Sequence, residues 1–177
     1  MDPPFGRPAP KTLAKQPSRV SLHGRYVSLV PLEESHSPSL FKHLGGPDNA
    51  HLWNFVPEAD MPDQTSCDDR IRTWVAGADA FPTFTILTGP ASEPSSEAAG
   101  FVVYLGATPE HLRIEVGGLV GTKMQRTRAM TEVFYLFIRH AIEELGYHRV
   151  QWQASTENTA STSAAKRLGF TLEGKFR

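Results

Sequence analysis

The sequence predicts one α/β domain built on a central mixed sheet with helices on both faces. Three observations carry that prediction. Strand-like runs alternate first with turns and then with helices. One stripe, Met130, Phe134, Phe137, Ala141 and Leu145, recurs at helical spacing and is widened by Val133, Ile138 and Ile142. A stripe that broad belongs to a helix lying across a sheet and buried on most sides. The 177 residues are 40% hydrophobic and 21% charged, enough for one core and no more.

In chain order, residues 1–21 form a proline-rich, basic tail expected to be disordered, and residues 22–177 form the domain. Residues 1–20 hold five of the fourteen prolines and the basic residues Arg7, Lys11, Lys15 and Arg19 against the single acid Asp2, a composition that breaks helices and favours extended chain. Tyr26 to Val30 is a short strand that Pro31 ends. Residues 34–44 and 65–78 read as helices, the second with Ile71, Trp74 and Val75 on one side. Between them, 49–62 is an irregular loop carrying Trp53 and Phe55. Strands follow at 82–88, 99–105 and 111–120, with Gly89 to Glu97 as an exposed hairpin loop. Helix 129–145 closes on Gly146 as a left-handed cap. Strand 148–154, helix 159–168 ending at Gly169, and strand 170–173 complete the order.

Composition excludes several classes of function. Eighteen basic against 19 acidic residues give no global attraction to nucleic acid or an anionic membrane. The longest apolar run, Val133 to Ile138, is six residues, too short to span a bilayer. No apolar segment follows Met1 as a secretory signal would require, so a cytoplasmic location is expected. The single cysteine, Cys67, reads as a structural thiol. The seven histidines show no ligand spacing, so no metal is expected.

The chemistry concentrates between Arg113 and Phe170. In the strand ending Glu115-Val116-Gly117-Gly118-Leu119-Val120, Ile114 and Val116 share one face, so Glu115 points to the other with Arg113. Two glycines inside an apolar strand mark a plain bulge or a close backbone approach. Alternatively the strand bends from its neighbour, and its freed N–H and C=O groups pair with an extended, amide-bearing ligand. Next, Lys123 to Met130 runs into the buried helix. Free N–H groups and a positive dipole end suit phosphate there, and Arg126 and Arg128 add charge that forks onto phosphate oxygens. Asn158 is an ordinary helix-entry residue.

This order of a Glu-Val-Gly strand, a Gln125-initiated loop into a long helix, and Asn158-x-x-Ser161 before Leu168-Gly169-Phe170 resembles the GNAT superfamily of acyl-CoA-dependent N-acetyltransferases. Gly24-Arg25-Tyr26-Val27-x-Leu29-x-Pro31-Leu32, Glu132 and Glu173-Gly174 are similar to its branch of ribosomal-protein-alanine acetyltransferases. The resemblance covers residues 22–177 and implies a GNAT-like acyl-CoA N-acyltransferase fold.

It further implies acetyl-CoA as donor and a primary amine of a small molecule or protein as acceptor, attacked directly. Glu115 would be the general base. Leu119 and Val120 would offer backbone groups to acetyl-pantetheine. Gln125, Arg126, Thr127, Arg128, Ala129 and Met130 would hold the pyrophosphate. Asn158 would bond the pantetheine arm, with Ser161 beside it. The chain departs from the family pattern at Arg128 and Met130, which occupy small-residue positions, and at Ala165, where many members carry a thiolate-protonating tyrosine. Members also continue past Glu-Gly-x-Phe-Arg into a last strand, expected to be missing here. That would leave strand 148–154 as an open edge, available to a homodimer, and make a degenerate CoA-binding or interaction module the alternative reading.

Overall fold

The computed structural model describes residues 12–93 and 95–176. Six strands form one sheet in chain order: β1 (Leu22–His23), β2 (Val27–Pro31), β3 (Thr83–Thr88), β4 (Ala98–Thr108), β5 (Arg113–Val120) and β6 (Arg149–Gln151). The first five are antiparallel neighbours; β6 joins β5 in parallel, which makes the sheet mixed as expected. Helices α1 (Ser37–Leu44) and α2 (Gln64–Ala76) cover one face and α3 (Arg128–Arg139) the other; α4 (Thr159–Arg167) follows β6.

Alternation along the strands divides the core in two. Phe84, Ile86, Val102, Tyr104, Ile114 and Val116 face α3, whose Val133, Phe134, Leu136 and Phe137 complete that cluster. Phe101 and Leu119 face the other way, toward Leu40, Leu44, Trp53, Cys67 and Ile71. Cys67 is buried against Ser37, and burial pushes its thiol up, as suits a structural residue. Among the described residues no helix is long and apolar enough to cross a membrane.

Several elements differ from the sequence expectation. The helix expected over 34–44 is a 3-10 turn at Glu34–His36 followed by α1, with Pro38 admitted in the first turn, where its missing N–H costs nothing. A 3-10 segment, Pro47–Trp53, runs into the loop expected at 49–62. The stripe expected to run unbroken to Leu145 leaves the α-helix at Arg139 for a π-helical turn, His140–Glu144; Gly146 then takes the left-handed cap (φ 82°) as expected.

The strand expected at 148–154 pairs over 149–151 alone. The strand expected at 170–173 is absent: residues 170–176 have no ladder partner and lie largely exposed, held beside β6 by the Arg149–Glu173 ion pair. Part of the expected tail is also packed. Ala14 is buried, Ala14 and Lys15 donate backbone N–H to Pro109 and Leu145, and Arg19 donates to the Leu32 carbonyl. Residues 1–11 of that tail lie outside the described residues.

Candidate active site

Strands β5 and β6 pair only at Arg113/Arg149, Ile114/Val150 and Glu115/Gln151, then separate. Beyond that point β5 keeps its partner β4 on one side and has none on the other. Which backbone groups face the gap follows from alternation. Gly121 donates its N–H to Ala99 beside β4 at 2.9 Å, whereas the Leu112 carbonyl accepts the Arg149 N–H from the β6 side at 2.9 Å. Odd-numbered residues of β5 therefore turn their backbone groups to β4, and even-numbered ones turn away. Gly118 and Val120 face the gap. Leu119, expected to offer its backbone there, spends it on Phe101, which is a correction of the sequence reading. Gly118 could have been found by counting register back from the strand end.

The two glycines have different roles. Both pair in regular register, with Val103 and Val102, so the plain-bulge reading fails. A Cβ on Gly118 would lie 2.5 Å from the Phe101 carbonyl oxygen and 2.9 Å from Val102 Cγ1. Glycine is required there by the close approach of β4. A Cβ on Gly117 would meet only side-chain carbons, at 3.2 and 3.6 Å.

Glu115 sits at the last β5–β6 pair, on the face opposite Ile114 and Val116, as expected. It is half-buried, and that burial holds its carboxyl above the usual range despite the opposing charge of Arg113. No hydrogen bond or ion pair engages its carboxylate among the described residues. A carboxylate so placed is a stronger base than one in water.

The gap leads to the start of α3. Gln125 turns its amide onto the Val120 carbonyl at 3.5 Å. Arg126 adopts a left-handed backbone (φ 60°), a conformation side chains rarely take, and one that reverses the chain into the helix. Thr127 is the N-cap: its hydroxyl donates to the Met124 carbonyl and accepts the Met130 N–H at 3.2 Å. The Thr127 hydroxyl and the Met130 N–H are thereby spent within the loop. Among the described residues the N–H groups of Arg128 and Ala129 have no acceptor, and the Arg126 and Arg128 side chains are exposed beside them.

Across the gap, Asn158 caps α4, its side-chain oxygen accepting the Ser161 N–H at 3.0 Å. Ser161 Oγ in turn accepts the Trp152 indole N–H at 2.9 Å. Trp152, the first residue past the last pair, lies on Phe134 of α3 at 4.5 Å and on Phe170 at 5.6 Å. Asn158 and Ser161 thus stand together at the start of α4, each with its side-chain oxygen already engaged. No group of three His, Cys, Asp or Glu side chains that could hold a metal occurs among the described residues.

The arrangement is an open strand edge bearing unpaired amide groups, a raised carboxylate at its mouth and an anion-ready helix start at its end. A family model described as an acetyltransferase (GNAT) domain matches residues 27–171. A solved GCN5-related N-acetyltransferase from Brucella melitensis is 29% identical, with a TM-score of 0.83 over 94% of this chain and 74% of its own. A GNAT-family protein from Chromobacterium violaceum is also 29% identical, with a TM-score of 0.81 over 98% of this chain and 86% of its own. A ribosomal-protein-S5-alanine acetyltransferase from Vibrio fischeri shares the fold at 17% identity, with a TM-score of 0.67 over 88% of this chain and 85% of its own. No curated protein sequence matches.

Proposed function

The chain belongs to the GNAT acetyltransferase family, and from that premise we propose that it transfers the acetyl group of acetyl-CoA to a primary amine of a small molecule or protein. The observation that carries this reading is the early end of β5–β6 pairing, which leaves the N–H and C=O groups of Gly118 and the N–H of Val120 turned into a gap, the Val120 carbonyl being taken by Gln125. The amides of a pantetheine arm satisfy such groups as an added strand would. The pyrophosphate then falls to the free N–H groups of Arg128 and Ala129, with Arg126 and Arg128 neutralising its charge.

Glu115 takes the proton from the acceptor ammonium, which frees the nitrogen lone pair. The amine attacks the thioester carbonyl carbon, whose oxygen draws on N–H groups of the open strand. The new C–N bond forms, the nitrogen gives up its second proton to water, the C–S bond breaks, and the departing thiolate takes its proton from water, since Ala165 has none to give. No covalent bond to the protein is needed, so Cys67 stays structural.

Calorimetric titration with acetyl-CoA, paired with thiol release in the presence of a panel of amines, tests the proposal. Binding lost in an Arg126→Ala, Arg128→Ala double variant, with thiol release that depends on amine, supports it. Binding without release under every amine supports instead a module that holds CoA and does not turn it over. A folded chain that binds no acetyl-CoA overturns both.

A further inference from the structure

The turn between β1 and β2 leaves three successive backbone N–H groups without strand partners, and one carboxylate collects all three. Glu132, in the second turn of α3, accepts from Arg25 N–H at 2.8 Å, Tyr26 N–H at 2.6 Å and Val27 N–H at 3.1 Å. The turn itself is closed by the Gly24 N–H on the Val27 carbonyl at 2.9 Å. Gly24 packs flat against the same carboxyl group: a Cβ there would lie 2.5 Å from Glu132 Cδ.

We infer that Glu132 is a positioning residue for the pyrophosphate end of the site, an inference that rests on the reading proposed above. The buried stripe of α3 holds the helix on the sheet, but apolar contact is non-directional and resists sliding or rotation weakly. Directional ties set the helix, and among the described residues α3 makes them to two other elements. At its C-terminal end the Phe137 carbonyl accepts the Tyr104 hydroxyl. At its N-terminal end the tie is Glu132, one turn along from Arg128 and Ala129, whose N–H groups are free. Residues four apart share a helix face, so the turn at 24–27 grips the side of α3 on which Arg128 begins. The arrangement also settles an electrostatic conflict. A free carboxylate one turn from a phosphate site would repel its ligand, and three N–H donors engage this one.

The test uses the full chain and CoA itself. Glu132→Gln puts an NH2 group where three donors converge, and is expected to weaken CoA binding about tenfold, or about 1.4 kcal/mol. Gly24→Ala, which displaces the same carboxyl from the opposite side, is expected to do likewise. The control is Tyr104→Phe, which removes the tie at the far end of α3. It lowers thermal stability and leaves CoA affinity unchanged, whereas a general weakening of α3 would change affinity in all three. Once turnover is measured, Glu132→Gln raises KM for acetyl-CoA with kcat nearly preserved. A parent that binds CoA together with a Glu132→Gln variant that binds equally tightly overturns this inference and leaves the proposed function standing. Equal loss in the Tyr104→Phe control overturns it also. A parent that binds no CoA removes the functional reading and this inference with it.

Discussion

Tyr104 of β4 stacks on Phe137 of α3 at 3.8 Å with ring planes 9° apart, and its hydroxyl donates to the Phe137 carbonyl at 2.7 Å. That carbonyl belongs to the helical ladder, and the π-helical turn His140–Glu144 begins three residues later. The Phe137 carbonyl accepts the His140 N–H as well, and the wide turn closes by the Leu145 N–H on the His140 carbonyl at 3.0 Å. The single hydroxyl proton is committed to Phe137, so the oxygen accepts from His140 Nδ1 at 3.0 Å, which fixes the neutral tautomer of that buried histidine.

Replacing Tyr104 by Phe keeps the stack and removes both hydrogen bonds. His140 Nδ1 is then left buried without a partner, and a loss of about 1–3 kcal/mol is expected. Urea unfolding measures it; an unchanged midpoint would show that the hydroxyl contributes nothing to the packing of α3 on the sheet.

Stability should fall as pH drops below about 6.5, the ordinary histidine value. Burial lowers the pKa of both His36 and His140, with Glu33 and Glu144 opposing the shift in each case. Between the lowered folded values and 6.5 the unfolded chain binds more protons, so acid favours unfolding there, and above that window neither group contributes a slope. The depressed carboxyls of Asp68 and Glu97 act in a separate, lower window. Unfolding curves at pH 5, 6, 7 and 8 check this, and His140→Gln should flatten the slope between 5 and 6.5. A slope equal to the parent's would remove His140 from the account.

Adjacent glycines should respond differently to alanine. Gly118→Ala drives a methyl into the Phe101 carbonyl and must shift backbone, costing more than about 1 kcal/mol and narrowing the gap. Gly117→Ala meets movable side chains of Val103 and Leu105 and should cost less than about 1 kcal/mol. Equal melting temperatures for the two variants would contradict the close approach at Gly118.

Glu115→Gln removes the base and keeps the shape. A fall in kcat of roughly 100-fold to 10,000-fold is expected, with CoA affinity intact. In the parent, kcat/KM should rise with pH through a value above 4.5, because burial holds the carboxyl protonated to higher pH than in water. An acid limb at or below 4.5, or a variant of normal rate, would assign the base elsewhere.

Much of this protein was legible from residue order. The α3 stripe, the left-handed cap at Gly146, the helix end at Gly169 and the facing of Glu115 are local consequences of helical and strand periodicity. The errors share one origin. The extent of β6, the missing strand at 170–173 and the π turn all depend on partners distant in sequence; the Tyr104 hydroxyl lies 33 residues from the carbonyl it takes.

Side-chain periodicity thus determined most of the strands and helices, which faces are apolar and where a carboxylate and two arginines fall along the chain. Tertiary structure decided which backbone groups remain free. Leu119 and Val120 are adjacent apolar residues of one strand, yet pairing with β4 turns the backbone groups of Leu119 to Phe101 and leaves those of Gly118 and the N–H of Val120 facing the gap. It also decided that Glu132 serves the turn at Arg25 to Val27, more than a hundred residues earlier. The physical reason is that periodicity acts between neighbours in the chain, whereas the satisfaction of polar backbone groups is settled only when distant segments meet.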